Sequence, residues 1–286
     1  MARARDLKRR MRSVEKTRQI TRTMEMVSTS KLKRAQDRVV AARPYAAALA
    51  EVLAELFDPG LSERFPLLRR VEAVKRVAVV VITSNRGLCG GFNANLIRMA
   101  QQRLEALSGA GAEVELHGIG RKGIGYFRYV GQALASQRID IGDRPTPQHA
   151  VEVAEPLMER FAGGELDGVE VVFAKFNSPV STPPTVVRVL PIEPPPARPT
   201  ANYIVRPSAE AILEALLPLY LHNQLYRALV ETAAAEQGAR RTAMKNATDS
   251  AGEMIDWLRR TYNRARQAQI TQEIAEIVGG SEALKG

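Results

Sequence analysis

The chain has 286 residues, of which 45% are hydrophobic, so it can fill the core of one or two domains and is not disordered by composition. One cysteine excludes an internal disulfide, and three scattered histidines lack zinc-type spacing, so we expect no metal site and a reducing, cytoplasmic setting. The formal net charge is +10, and residues 1–43 carry that whole excess, with fourteen Lys or Arg against four Asp or Glu.

The basic N-terminal segment predicts contact with an acidic partner, and a solvated basic face is the alternative. Nucleic-acid phosphates would suit the charge, but residues 1–43 contain no aromatic side chain for stacking on single strands. A basic coiled-coil scaffold that binds nucleic acid therefore stays open as a function at this point.

Residues 1–57 read as one long N-terminal helix that ends at the "DPG" of 58–60, followed by a connector over 58–75. Pro44 should kink this helix. Its apolar positions fall into three triplets separated by stutters, which predicts a contact stripe that rotates around the helix. The triplets are Leu7, Met11 and Val14; Ile20, Met24 and Val27; and Leu32, Ala35 and Val39.

Residues 76–206 alternate strand-like and helix-like segments, which predicts an open, mostly parallel sheet covered by helices on both faces. We expect strands over 76–84, 112–120, 169–176 and 185–192, and helices over 93–107, 122–130 and 146–162. The proline-rich residues 191–199 read as an extended linker or edge.

Residues 207–286 read as a C-terminal helix that is capped by Ser208, divided at Pro218 and stopped by Gly279 and Gly280. No globular core of this size contains so long a helix, so we expect it to form an antiparallel coiled coil with the N-terminal helix. The α/β segment is then an insertion at the side of the coiled coil. The expected heptad positions are Met244, Ala247, Ala251, Met254, Leu258, Thr261, Ala265 and Ala268.

The stretch "SNRGLCGGFN", residues 84–93, surrounds Cys89 with glycines directly after the first predicted strand. A cysteine nucleophile would need a base and an orienting group, and no local motif supplies them. The stretch also lacks the Lys and Ser or Thr of a phosphate-binding P-loop. We therefore expect a sharp turn with a small buried thiol.

A second glycine motif, "GIGRKG" over 118–123, matches G-x-G-x-x-G after a predicted strand, with Asp140 twenty residues beyond Gly120. A dinucleotide fingerprint belongs on the first strand of the sheet and is followed by a long helix, whereas this motif follows the second strand. A nucleotide-dependent oxidoreductase is therefore the weaker alternative function.

Three blocks of sequence resemble the gamma subunit of F-type ATP synthases: residues 20–45, residues 84–93, and residues 224–251 with 262–280. The resemblance covers nearly the whole chain. The chain departs from the family pattern at Asn85, where an aspartate is usual, and at Gly280, where alanine is common.

The resemblance implies a fold in which the terminal helices form an asymmetric coiled coil with a Rossmann-like α/β domain inserted beside it. It implies a rotor shaft, present once per complex, that couples proton flow across the membrane to ATP synthesis in other subunits. Its partners would be the alpha and beta subunits of the catalytic hexamer, the epsilon subunit and the membrane c-ring. The setting would be the cytoplasmic face of a bacterial membrane, with no cofactor and no catalytic residue in this chain.

The resemblance also implies coupling positions, where the chain contacts the catalytic subunits: Met24, Arg240, Gln267 and Thr271. From charge alone we expect a basic set that meets acidic loops of those subunits: Arg9, Arg10, Lys31, Lys33 and Arg34. The alternative for each residue is a coiled-coil or solvated position without a specific role, because coupling energy is usually spread over many contacts.

Overall fold

The computed structural model describes residues 2–57, 64–69, 71, 74–193 and 208–283. The expected helix end at 58–60, half of the connector and the greater part of the proline-rich linker lie outside these ranges. Within them the chain forms two compact units. The terminal unit comprises residues 1–27 and 241–286, and the central unit comprises residues 28–240.

Five α-helices are present among the described residues, and the first and last are far longer than the others. The helices are α1 (Ala2–Leu56), α2 (Phe92–Gly109), α3 (Arg121–Tyr129), α4 (Pro147–Ala162) and α5 (Ala209–Ala283). A short 3₁₀ helix, Pro66–Leu68, precedes the first strand. Helices of 55 and 75 residues confirm the prediction that both ends of the chain form long helices.

Both long helices continue past the residues that we expected to kink, divide or stop them. α1 is helical through Pro44, and α5 is helical through Pro218. α5 also runs past Gly279 and Gly280 to Ala283, so the prediction that these glycines stop the helix is wrong. A glycine lowers helix propensity by only about 1 kcal/mol, which the neighbouring helical residues can offset.

The central unit contains a five-stranded sheet in the order β3-β2-β1-β4-β5. The strands are β1 (Arg76–Ile82), β2 (Glu113–Ile119), β3 (Ser136–Arg138), β4 (Gly168–Ala174) and β5 (Pro184–Leu190). β1 to β4 are mutually parallel where they pair, and β5 runs antiparallel to β4. This sheet confirms the expected α/β fold class.

Alternate residues of β1 enter two separate cores, because successive side chains of a strand point to opposite faces. Ala78, Val80 and Ile82 pack in a core that α4 covers, together with leucines of α1 and α5. Val77 and Val79 pack in a second core that α2 and α3 cover. Since both faces are covered, β1 is buried except at its first residue, and its sequence is a continuous apolar run.

In the terminal unit the buried positions of α5 follow a heptad whose phase differs from the expected one. Met244, Ala251 and Leu258 are buried as predicted, but Met254 is half exposed. Thr248 and Ile255 take the other inner positions, and the Thr248 hydroxyl lies 2.8 Å from that of Thr21 on α1. Between Arg259 and Ser281 no residue is buried.

The buried positions of α1 also correct the expected stutters. Ile20 and Val27 are at least half exposed, whereas Thr21 and Ser28 are buried. The heptad therefore continues along α1 with two small polar residues at inner positions. A search for apolar residues alone shifts the stripe onto the wrong face at these two turns.

Candidate functional site

The loop from Ser84 to Asn93 joins β1 to α2 and is held by its own polar side chains. The Asn93 amide nitrogen donates to the Ser84 hydroxyl oxygen at 2.8 Å and to the Cys89 sulfur at 3.2 Å. Leu88 and Gly90 both have positive φ, at 63° and 59°, so the backbone turns sharply on either side of Cys89. The prediction of a sharp turn is confirmed.

Cys89 is buried, at 2% exposure, and belongs to the core beneath α2. Burial raises the pKa of its thiol, against the opposing influence of Arg240, so the reactive thiolate is disfavoured. Its sulfur lies 3.9 Å from the Arg86 carbonyl oxygen and 3.2 Å from the Asn93 side-chain nitrogen, and neither group is a base. These surroundings fit the expected packed thiol and do not fit a nucleophile.

Arg240 of α5 reaches this loop from inside the central unit. Its guanidinium donates to the Gly87 carbonyl at 3.2 Å and to the Arg86 carbonyl at 3.4 Å. It also pairs with Glu236, one helical turn earlier, at 2.6 Å. Both charged side chains are 8% exposed. Burial raises the pKa of Glu236, and the charge of Arg240 opposes that shift.

Asn85 links the loop to two further loops on the same edge of the sheet. Its side-chain nitrogen donates to the carbonyls of Ile139 and Ile141 at 2.9 and 3.0 Å. Its side-chain oxygen accepts from the Arg121 backbone at 2.9 Å. Two of these three bonds need an amide, so the departure from the family's aspartate has a structural role in this chain.

The "GIGRKG" motif starts α3, but its glycines are used for packing. A Cβ at Gly120 would lie 2.1 Å from the Thr83 carbonyl oxygen, and one at Gly123 would lie 2.8 Å from the Thr83 side chain. The backbone amides of Arg121, Lys122 and Gly123 donate to Asn85, Ser84 and Thr83 respectively. No amide in this first turn is left to bind a pyrophosphate, so the dinucleotide reading is not supported.

The expected basic set on α1 falls into two environments. Lys31 is half-buried and pairs with Asp143, whose Oδ1 also accepts from Gln237 at 3.2 Å. The remaining four, Arg9, Arg10, Lys33 and Arg34, are exposed. Arg9 pairs with Asp6 at 3.2 Å and Lys33 with Asp37 at 2.9 Å, both on solvated helix faces. Exposed pairs of this kind leave the charges available to a partner.

The remaining predicted positions lie in the terminal unit. Met24 is half-buried on α1, and Gln267 and Thr271 are exposed on α5. The Thr271 hydroxyl donates to the Gln267 carbonyl at 3.0 Å, as threonine often does inside a helix. The structure thus brings Gln267 and Thr271 together on one turn and places Arg240 in the other unit.

Sequence reasoning missed several residues at this edge of the sheet. Glu236 could have been found from its spacing of four from Arg240 on a helix. Asp143 and Arg144 follow a strand of three residues that the sequence pattern does not reveal, so nothing indicated their approach to α1 and α5.

Two negative findings apply to the described ranges. No group of three His, Cys, Asp or Glu side chains there could hold a metal ion. No described helix combines the length and the apolar character that crossing a bilayer requires.

Comparison with known proteins places the whole chain in one family. A family profile described as ATP synthase matches residues 3–284. The ATP synthase gamma chain of Gemmatimonas aurantiaca is 59% identical over the full length of both chains, and that of Moorella thermoacetica is 48% identical over the full length of both.

Solved structures agree with this placement. A chain in the central stalk and c-ring structure of the Tetrahymena thermophila mitochondrial ATP synthase has a TM-score of 0.62 at 26% identity, covering 80% of this chain and 99% of its own. A chain in the Euglena gracilis mitochondrial enzyme has a TM-score of 0.68 at 17% identity, covering 99% and 95%, and shows the shared fold. The chain belongs to the ATP synthase gamma chain family.

Proposed function

We propose that this chain is the central rotor shaft of an F-type ATP synthase and couples proton flow across a membrane to ATP synthesis in other subunits. The observation that carries the proposal is the pair of helices of 55 and 75 residues that bracket an α/β insertion, in a chain matched end to end by gamma chains. Helices this long exceed what a globular core needs, but they suit transmission of torque over a distance.

Coupling in this proposal is mechanical. A shaft whose surface differs from side to side contacts each surrounding catalytic subunit differently, and it favours a different conformation in each. Rotation then passes each subunit through the conformations in turn. The sides of α5 do differ: Met254 and Trp257 are exposed, whereas Ile255 and Leu258 are buried.

We infer that the residues that contact the catalytic subunits include Met24, Gln267 and Thr271 on the terminal unit. Their exposed or half-buried side chains support this assignment. The basic residues Arg9, Arg10, Lys33 and Arg34 would meet acidic loops of those subunits, with Lys31 shared between such a loop and Asp143. Arg240 would act through the 84–93 loop, because its guanidinium is already bound to that loop.

We further infer that the chain has no catalytic residues or cofactor of its own. Two observations support this inference: the Cys89 thiol is buried, and glycines of the 118–123 motif pack closely against Thr83 instead of leaving space for a cofactor. Its partners would be the alpha and beta subunits, the epsilon subunit and the c-ring, with one copy per complex and no nucleic acid. The complex would lie on the cytoplasmic face of a bacterial membrane, with this chain as a peripheral subunit.

The functional division that we propose follows four segments: a coiled-coil helix over 1–57, a connector over 58–75, an α/β domain over 76–206 and a second coiled-coil helix over 207–286. The sheet and the helices between its strands all lie inside 76–206, which supports the inner boundaries.

The deciding experiment reconstitutes the chain with the alpha and beta subunits and measures ATP hydrolysis and the rotation of a bead attached to the shaft. We expect the Gln267→Ala/Thr271→Ala double variant to lower the torque or rate of rotation. The matched control is Gln269→Ala/Glu273→Ala, which removes another polar pair with the same spacing on α5, 2.8 Å apart.

The proposal of a rotor fails if the hexamer hydrolyses ATP but a bead attached to the parent chain does not rotate. The assignment of the two coupling residues fails if both double variants rotate like the parent chain, or if the control pair is affected equally.

A further inference from the structure

A cavity of about 590 Å³ lies in the central unit, where the carboxyl ends of β1 and β2 meet α5. Its walls come from the loops that follow the first three strands and from Leu229 to Glu236 of α5. Ligands of open α/β sheets bind at the carboxyl ends of the strands, and small-molecule sites span about 300–1,000 Å³. Position and size therefore suit a small ligand.

Three arginines line this cavity: Arg86, Arg121 and Arg144. Among the described residues none of their guanidinium groups forms an ion pair or hydrogen bond, and the hydrogen bonds of Arg86 and Arg121 are made by backbone atoms. All three residues are exposed, and three positive charges on the walls of one cavity would attract a ligand with several negative charges.

The acidic residues of the same walls already have cationic partners. Arg138 binds both oxygens of Asp140 and lowers the Asp140 pKa to about 2. Asp143 pairs with Lys31, and Glu236 pairs with Arg240. Lys31, Arg138 and Arg240 pair with these acids from outside the lining, and Arg138 is shared with Glu152. These paired groups and the three arginines of the wall together carry a net charge of +2.

We propose that this cavity binds a phosphate-bearing small molecule through Arg86, Arg121 and Arg144. A guanidinium group binds a carboxylate or a phosphate through a pair of hydrogen bonds, but a phosphate group has more oxygens and more charge and can engage several arginines at once, which favours phosphate over a single carboxylate. Recognition comes from side chains, because the first-turn amides of α3 are occupied by Asn85, Ser84 and Thr83. The ligand would touch both the sheet loops and α5.

The test titrates the full chain with inorganic pyrophosphate and, separately, with ADP, using calorimetry at low ionic strength. We expect saturable binding of at least one probe. Equal affinities indicate recognition of phosphate alone, and binding of ADP more than tenfold tighter identifies a nucleotide as the ligand. Either outcome supports the site.

The chain is strongly basic and could attract any anionic probe, so a matched variant must distinguish binding in the cavity from nonspecific attraction to the surface charge. Arg86→Gln/Arg121→Gln/Arg144→Gln should weaken binding by more than about tenfold. Arg98→Gln/Arg259→Gln/Arg264→Gln removes three exposed charges outside the cavity and should weaken it by less than about threefold. If the first variant melts early, Arg144→Gln alone replaces it, because that side chain is exposed and forms no ion pair or hydrogen bond with the described residues.

Equal weakening in the two triple variants, or no saturable binding of either probe by the parent chain at millimolar concentration, overturns the proposal.

Discussion

The pairing of Arg240 with Glu236 and with the 84–93 loop predicts a local instability when the arginine is removed. In the Arg240→Leu variant the Gly87 and Arg86 carbonyls lose their donor and the Glu236 carboxylate loses its partner inside the protein. Removing one member of a buried ion pair costs about 3–5 kcal/mol. Both side chains are only 8% exposed, so solvent screening reduces this energetic cost only slightly.

Cys89 supplies the assay, because it is the chain's single cysteine and is buried in the same loop. Its rate of labelling by a thiol reagent under native conditions reports how often the loop opens. At about 1.36 kcal/mol for each factor of ten, a loss of about 3 kcal/mol raises the labelling rate by about two orders of magnitude. Arg241→Leu is the matched control, since Arg241 is half-buried and its side chain forms no ion pair or hydrogen bond with the described residues.

The effect should depend on pH in a defined direction. Burial already raises the pKa of Glu236, and loss of Arg240 raises it further. An acid with a raised pKa destabilises the folded state above that pKa, and the penalty disappears as the carboxyl takes up its proton. The difference between variant and parent, each normalised to its unfolded labelling rate, should therefore shrink as the pH falls from 8 towards 5.

A labelling rate for Arg240→Leu within twofold of the parent at pH 8 would refute this reasoning. So would an equal acceleration in Arg241→Leu, because the effect would then come from the helix and not from the buried pair.

Two further substitutions test the loop contacts. Gly120→Ala places a Cβ 2.1 Å from the Thr83 carbonyl oxygen at a φ of +96°, so we expect the melting temperature to fall by more than about 10 °C. The control Gly125→Ala lies in open space on α3 and should leave the melting temperature unchanged or slightly higher. Asn85→Asp replaces two donated hydrogen bonds by repulsion from the Ile139 and Ile141 carbonyls, so we expect the free energy of unfolding in urea to fall by about 1–3 kcal/mol at neutral pH and by less at low pH. The exposed control Asn95→Asp should show no loss, and an equal loss in Asn85→Asp and Asn95→Asp would contradict this account.

The parts of the fold that the sequence predicts are those whose signal is local. β1, β4 and β5 are largely apolar, β2 begins with alternating polar and apolar residues, and the two long helices carry an extended periodic pattern. β3 was missed because its residues, Ser136 to Arg138, are polar and mostly exposed, and pairing with β2 alone defines the strand.

The parts that the sequence does not predict depend on contacts between distant segments. The antiparallel direction of β5 cannot be read from its composition, and the inner positions of the heptad go to Thr21, Ser28 and Thr248 because small polar residues fit between close helices. The resemblance gives Arg240 as a coupling position, but the sequence does not reveal its partners inside the chain, which are Glu236 and two carbonyls that lie more than 150 residues earlier.

The last stretch of α5 has a consequence for how a complex is built. Residues 259–281 have no buried member, and Ile270, Ile274 and Ile277 are about half exposed or more. In proteins most helical stability comes from packing of an apolar face, so these turns depend on their continuity with the buried part of α5. Other subunits that enclose this end would bury the three isoleucines and add the packing that it lacks. Part of the stiffness of the shaft would then come from the partners that surround it, and this end would become more rigid as the complex is assembled.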